Sequence, residues 1–178
     1  MDKATILIPL DSSPLSRTIL PYVRRIFDPD SYVLFFLKVI TRSIKEFEEI
    51  VIPPSYAARE WTPQMYEAVE QWRSEKHDSI EHKQDALLRA VEGSLRTETA
   101  PLVDAGYKVR VLAVMGEPLA SIEAVLSDEP IFAVAMTTHA REGFDRLLHG
   151  SIAGKLLQDY DMPLLLYHPS RELHGSPD

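Results

Sequence analysis

The sequence predicts an α/β fold built on an open five-stranded parallel sheet with helices on both faces. Two observations predict it. Short apolar runs recur at Ala4–Leu10, Tyr32–Ile40, Ile131–Met136 and Pro163–Tyr167, and near-continuous runs of that length suit strands covered on both faces. Segments with apolar residues at helical spacing separate them, and strand–helix alternation implies parallel strands joined by right-handed crossovers. The expected order is β-α-β-α-β-α-β-α-β. In such Rossmann-like arrangements ligands sit beyond the carboxyl ends of the strands, where the strand order reverses.

The first strand, Ala4 to Leu10, carries Pro9 near its end; proline interrupts a ladder, so the strand should be finishing there. Asp11-Ser12-Ser13-Pro14 supplies a turn and a helix start, with Ser13 or Ser12 as N-cap and Pro14 at the first helical position. The helix from Leu15 to Phe27 places Leu15, Ile19, Tyr22, Val23 and Ile26 on one face, and Asp28-Pro29-Asp30 ends it. The second strand, Tyr32 to Ile40, has a single charge, Lys38. A longer connection follows from about residue 41 to 63, with Pro53-Pro54 and an ambiguous I-K-E-F-E-E-I-V-I fragment.

A long helix is expected from roughly Pro63 to Thr99. Its early part is polar (Glu67, Glu70, Arg73, Glu75, Lys76), and its later part places Ile80, Leu87, Leu88, Val91 and Leu95 at helical spacing. Gly93 weakens it locally. A helix this long is expected to project at one end or to lean on a partner chain. The third strand, Tyr107 to Val114, begins with alternation, which suits an edge or half-covered position. Gly116-Glu117-Pro118 turns into a helix over Leu119 to Leu126, which Ser127-Asp128-Glu129-Pro130 breaks. After the fourth strand a polar loop, Thr137 to Ser151, opens the helix Ser151 to Tyr160, and the fifth strand closes the fold. Residues 1–169 read as a single domain, and the tail 170–178 as flexible.

The chain has 178 residues, enough for one domain that removes roughly 70% of its open-chain surface from water. It contains no cysteine, which excludes a disulfide framework, a thiolate metal site and a cysteine nucleophile. The net charge of −8 argues against sequence-independent nucleic-acid binding, which relies on Lys and Arg neutralising phosphates. Locally, Arg141, Arg146 and Lys155 cluster around the loop after the fourth strand. No window approaches the roughly 20 apolar residues needed to span a bilayer, and the N-terminus reads as a strand, not as a signal peptide. The expectation is a soluble, cytoplasmic protein that contacts neither membrane nor nucleic acid.

Two loops are candidates for function: Pro9 to Ser13 after the first strand and Thr137 to Ser151 after the fourth. The first amides of a helix lack internal partners and point outward, so the helix start at Gly150-Ser151 is a candidate anion site. No Walker-type G-x-x-x-x-G-K-[ST], no H-E-x-x-H and no G-x-S-x-G occurs. His77 and His82 stand five apart, a poor spacing for one-face metal binding. Neither a catalytic residue nor a metal ligand is expected.

The segments I-L-I-P-L-D-S-S, V-M-G-E-P, T-T-H-A-R-E-G-F-D-R-L-L-H-G-S-I-A-G-K-L-L and M-P-L-L-L together resemble the universal stress protein family. The likeness covers nearly the whole chain in element order. Members commonly read V-D-G-S after the first strand and G-x-x-G-x9-G-[ST] after the fourth, and Arg141 to Ala153 carries the more specific match. Gly150 and Ser151 are present. Thr137 and Ala140 stand where that motif has its first two glycines. Glycine serves phosphate loops because it takes positive φ and lets amides approach oxygen closely. A methyl group at a positive-φ position costs on the order of 1 kcal/mol.

The resemblance implies a stress-response and signalling module, a homodimer paired through the last strand, and binding of ATP with its Mg²⁺. Asp11 would then meet the adenine or ribose end, and Pro9 and Val39 would line the base pocket. Ser151, Ile152 and Ala153 would offer amides and a hydroxyl to the phosphates. Thr137, Thr138, His139, Ala140, Arg141 and Gly150 would form the loop side, with His139 and Arg141 reaching the triphosphate. An alternative stays open: a member of the same fold that binds no nucleotide and acts through dimerisation and unidentified protein partners. Thr137, Ala140 and the polar helix from Glu67 to Lys76 favour it, whereas Pro9, Asp11, Gly150 and Ser151 favour ATP. An enzyme, at most a slow ATPase, would need Mg²⁺ and a placed water, and an adenine-nucleotide hydrolase or transferase of related α/β architecture would need an acid or base in the Thr137 to Ser151 loop. Asp11 has an equally simple role as a helix cap or turn closer, and Lys38 as a snorkelling or paired side chain.

Overall fold

The computed structural model describes residues 3–11, 13–41, 63–138 and 151–169. Five strands, β1 (Ala4–Leu10), β2 (Tyr32–Ile40), β3 (Lys108–Met115), β4 (Ile131–Thr137) and β5 (Leu164–Tyr167), form one sheet in the order β3-β2-β1-β4-β5. Every neighbouring pair is parallel. The described helices are α1 (Leu20–Ile26), α2 (Pro63–Asp104), α3 (Pro118–Asp128) and α4 (Ile152–Asp159), and a 3-10 turn over Pro14–Ile19 leads into α1. The open parallel α/β sheet expected from the sequence is the fold observed.

Strand alternation sends successive side chains to opposite faces, and the core divides accordingly. Ile6, Ile8, Leu10, Leu34, Phe36, Ala133 and Ala135 pack with Ile19, Val23 and Phe27 of the α1 region and with Leu95 and Leu102 of α2. On the other face, Leu7, Phe35, Leu37 and Val134 pack with Ile122 and Val125 of α3 and Leu156 of α4. Both strands next to β1 read as near-continuous apolar runs, interrupted in β2 only by Lys38, because both of their faces are covered.

The chain steps from β1 through β2 to β3 in one direction and then crosses to the far side of β1 to place β4 and β5. The strand order therefore reverses between β1 and β4. The β1–β2 register continues to Leu10–Lys38. The β1–β4 register shifts between Thr5 and Ile6 and stops at Leu7–Val134. Pro9 sits within a central strand because the ladder on one of its two sides has already ended, which is where a residue without an N–H is tolerated.

Three expectations need correction. The helix expected over Leu15–Phe27 begins as a 3-10 turn. Pro21 has no N–H to donate to Arg17, whose carbonyl instead accepts from Leu20 three residues on. The change of period breaks the supposed single face: Ile19 and Val23 are buried, while Leu15, Tyr22 and Ile26 are exposed. Ser13 is the N-cap, its hydroxyl accepting from the amide of Ser16, with Pro14 at the first position.

The long helix runs past Pro101 to Asp104. Proline disfavours the helix before it, yet Leu102, one residue later, is buried in the α1/α2 core and holds the chain in place. The stop is Gly106, at φ +93°. The amide of Gly106 bonds to the carbonyl of Val103 and that of Tyr107 to the carbonyl of Leu102, at 2.9 and 3.1 Å, and Leu102 and Tyr107 are both buried, a Schellman ending. The third strand is displaced by one residue at each end relative to Tyr107–Val114, because Tyr107 is used in that helix ending.

The chain divides into two compact units, Met1–Thr41 with Val91–Asp178, and Arg42–Ala90. The core, the sheet and the candidate site all belong to the first. In the second, the described part of α2 includes an exposed pair of Arg89 with Asp85 at 3.3 Å, worth a few tenths of a kcal/mol, roughly.

Candidate functional site

Parallel strands end on one rim, so Leu10, Ile40, Met115, Thr137 and Tyr167 share it. Asp11 follows β1 directly. Helix α4 returns from the β4 end to begin β5, so its N-terminus at Ser151 stands on the same rim. The crevice expected where the strand order reverses thus lies beside both.

The α3/α4 side of this rim is apolar. Pro9 follows Leu7 by two residues and shares its face. Val39 is half-buried and packs against the same cluster as Ile152 of α4. Pro9 pairs with Leu37 in the β1–β2 register, so Val39 lies one step closer to the rim on the same face. Ser151 caps α4 in extended conformation, its Oγ accepting from the amide of Gly154 at 3.0 Å. Ser151 thus takes the ordinary N-cap role. Ile152 and Ala153 supply the first helical amides, which have no acceptor within the helix.

The α1/α2 side is polar and internally bonded. Thr137 and Thr138 are buried. The Thr137 hydroxyl lies 3.3 Å from that of Thr18 and donates to the Ser16 carbonyl at 3.4 Å. It therefore engages the 3-10 turn, while Pro9, Val39 and α4 lie across the sheet. The amide of Thr138 donates to the Tyr167 carbonyl at 2.8 Å, and its hydroxyl lies 3.2 Å from Nδ1 of His168. These bonds join the end of β4 to the end of β5.

Asp11 closes a turn. Its Oδ1 accepts from the amide of Ser13 at 2.8 Å, and its carbonyl accepts from Lys38 and from Ser16 Oγ. The Ser13 carbonyl accepts from Ser16 Oγ at 2.9 Å and from Arg17 at 3.2 Å. Arg17 is held by a two-pronged pair with Glu98 of α2, which raises the guanidinium further above its already high value. Burial pushes the Lys38 ammonium below the usual lysine range, with Arg17 adding to the shift and Asp11 and Glu98 opposing it.

Of the residues singled out from the sequence, Pro9, Asp11, Val39, Ser151, Ile152 and Ala153 line one rim. Thr137 and Thr138 share that rim, with the Thr137 side chain committed to the opposite face. His139, Ala140, Arg141 and Gly150 lie outside the described residues. Sequence reasoning missed Ser16, Arg17, Thr18 and Glu98. Arg17 and Glu98 are 81 residues apart in the chain, and no local pattern announces such a pair. Among the described residues, no group of three His, Cys, Asp or Glu side chains could hold a metal ion, and no helix is long and apolar enough to cross a membrane.

The sequence profile of the universal stress protein family matches residues 4–168. The chain belongs to the universal stress protein family. A comparison with curated proteins finds no match. Among solved structures, the hypothetical protein MJ0577, whose biochemical function was assigned from its structure, is 18% identical with a TM-score of 0.54 over 97% of this chain and 100% of that one. A universal stress protein in complex with cAMP is 12% identical, with a TM-score of 0.50 over 96% and 100% of the two chains. A universal stress protein family protein from Arabidopsis thaliana with AMP bound is 10% identical, with a TM-score of 0.52 over 97% and 96%. At these identities the likeness is one of fold.

Proposed function

We propose that this universal stress protein is a cytoplasmic stress-response module that binds an adenine nucleotide, ATP by preference, in the crevice between the ends of β1 and β4. The observation that carries the reading is the pairing of an apolar floor, Pro9 and Val39, with the α4 N-terminus on one rim at the point where strand order reverses. An adenine ring suits the floor, and phosphates suit the amides of Ile152 and Ala153. Structures of similar fold with cAMP and AMP bound support the ligand class. When bound, the nucleotide supplies negative charge; the residues hold and orient it. The N-terminal amides of α4 offer the phosphates fixed donors, and the Asp11 carboxylate fixes the ribose end.

A second reading has its own observation. The Thr137 hydroxyl is bonded within the protein and the Asp11 turn is internally satisfied, which favours a rim that acts through protein contacts alone. In either reading we place a homodimer at β5. That strand is an edge of the sheet, and Leu164–Tyr167 are half-buried along its length; apolar edges of this kind are paired or covered in stable proteins.

One experiment separates the two readings. Protein purified without added nucleotide is denatured, and the supernatant is assayed by ultraviolet absorbance and mass spectrometry. Recovered adenine nucleotide, or a thermal shift in millimolar Mg-ATP, supports the first. Neither signal leaves protein contacts as the function.

A further inference from the structure

Lys38 is the one charge in a strand otherwise built of apolar and aromatic residues, Y-V-L-F-F-L-K-V-I. Its place in the ladder explains what it reaches. Lys38 is the Cα partner of Leu10, the last paired residue of β1. Its ammonium extends one residue further and donates to the carbonyl of Asp11. By strand alternation it lies on the α1/α2 face, opposite Val39. The Asp11 turn is thus grasped from the side away from the proposed ligand.

The grasp has a second arm. Arg17 donates to the Ser13 carbonyl at 3.2 Å, and Glu98 of α2 orients the Arg17 guanidinium. Ser16 Oγ bridges the two arms, contacting the carbonyls of both Asp11 and Ser13. Together these donors fix the two peptide carbonyls of a turn whose closing bond runs from the Ser13 amide to the Asp11 carboxylate. A carboxylate on a free loop samples many orientations. One whose backbone is fixed on both sides has fewer, and ordering it in advance lowers the entropy lost on binding.

We propose that Lys38 is a positioning residue: from the α1/α2 face it fixes the Asp11 turn, and so presets the carboxylate that the ligand meets on the other face. The ligand part of this inference rests on the adenine-nucleotide reading above; the fixing of the turn does not. A lysine that merely snorkels along Leu10 would lose nothing when its ammonium is replaced by an apolar end.

The test uses the full chain and two variants. Lys38→Met keeps the apolar stem and removes the donor; Lys38→Arg restores a donor. The first readout is amide hydrogen exchange at Ser13 in the absence of ligand, followed by NMR. Lys38→Met should speed it about tenfold, the scale expected for a lost charge-assisted bond, and Lys38→Arg should return it most of the way. The second readout is the Kd for Mg-ATP. Lys38→Met should weaken it several-fold in the wild-type background and leave it unchanged in an Asp11→Asn background, because the two act through one turn. Unchanged Ser13 exchange in Lys38→Met overturns the proposal. So does an equal loss of affinity in both backgrounds. A wild-type chain that binds no nucleotide, with the exchange effect present, refutes the ligand reading and leaves the positioning role standing.

Discussion

The two faces of the sheet rim differ in kind. On the α3/α4 side, Pro9, Val39 and Ile152 form an apolar surface next to the first amides of α4, which have no acceptor within the helix. On the α1/α2 side, Lys38, Arg17, Glu98, Ser16, Thr18 and Thr137 bond to one another and to the backbone of the Asp11 turn. One face is suited to receive, the other to hold. The division teaches why a polar, bonded set of side chains beside a candidate site need not be the site: their donors and acceptors are already used.

Removing the core beneath the holding face should have the largest effect. Phe36 is fully buried there. Phe36→Ala should lower unfolding free energy by about 3–5 kcal/mol, measured by urea denaturation, and should also loosen the Ser13 amide. A loss under about 1 kcal/mol would mean the face is not packed as described.

Next in size is Thr137→Gly, which gives the position the glycine common in the family motif. It removes a buried hydroxyl bonded to Ser16 and frees the backbone, a loss of about 2 kcal/mol. Because the side chain serves the α1/α2 face, Mg-ATP affinity in isothermal titration should stay unchanged. A marked gain in affinity would place Thr137 on the receiving side after all.

Ile152→Pro addresses the receiving face. Proline is well accepted at the first position of a helix, so α4 should persist while one outward amide is lost. Affinity for ATP should fall about tenfold and that for adenosine should hold, read by titration with both ligands. Equal losses for the two ligands would argue against phosphate contact at α4.

The smallest effect lies away from the rim. Arg110 stacks 4.3 Å over the Phe35 ring and pairs with Glu129, and this pairing holds the Glu129 carboxyl below the usual glutamate range. A depressed folded-state value means the pair stabilises at neutral pH, and that this contribution is lost as pH falls through the depressed value. Both groups are part-exposed, so the amount is under about 1 kcal/mol. Acid unfolding of Glu129→Gln should lack that component, and identical pH profiles for the two proteins would remove the pair as a stabiliser.

The central strands were legible because burial on both faces leaves near-continuous apolar runs, and β1 and β2 match the expected residues at both ends. The Ser13 cap was legible because Ser-Pro at a helix start has a local cause. The face of the first helix was not, since it was read with one period and Pro21 forces two. The end of α2 was not, since Leu102 is buried in a core cluster with residues distant in the chain, which no window of sequence contains. At the rim, Pro9, Asp11 and Ser151 were singled out by motif, whereas Arg17 and Glu98 lie 81 residues apart in the chain and share no local pattern.

By itself, the sequence determined the order of strands and helices, their parallel arrangement and the family, because hydrophobic period and capping residues act over a few positions at a time. Tertiary structure alone decided which face each rim residue serves: that Thr137 turns to the 3-10 turn, that Lys38 reaches the Asp11 carbonyl, and that Arg17 answers to Glu98. Side-chain direction alternates along every strand, and only the packing of helices onto a finished sheet gives each direction its partner.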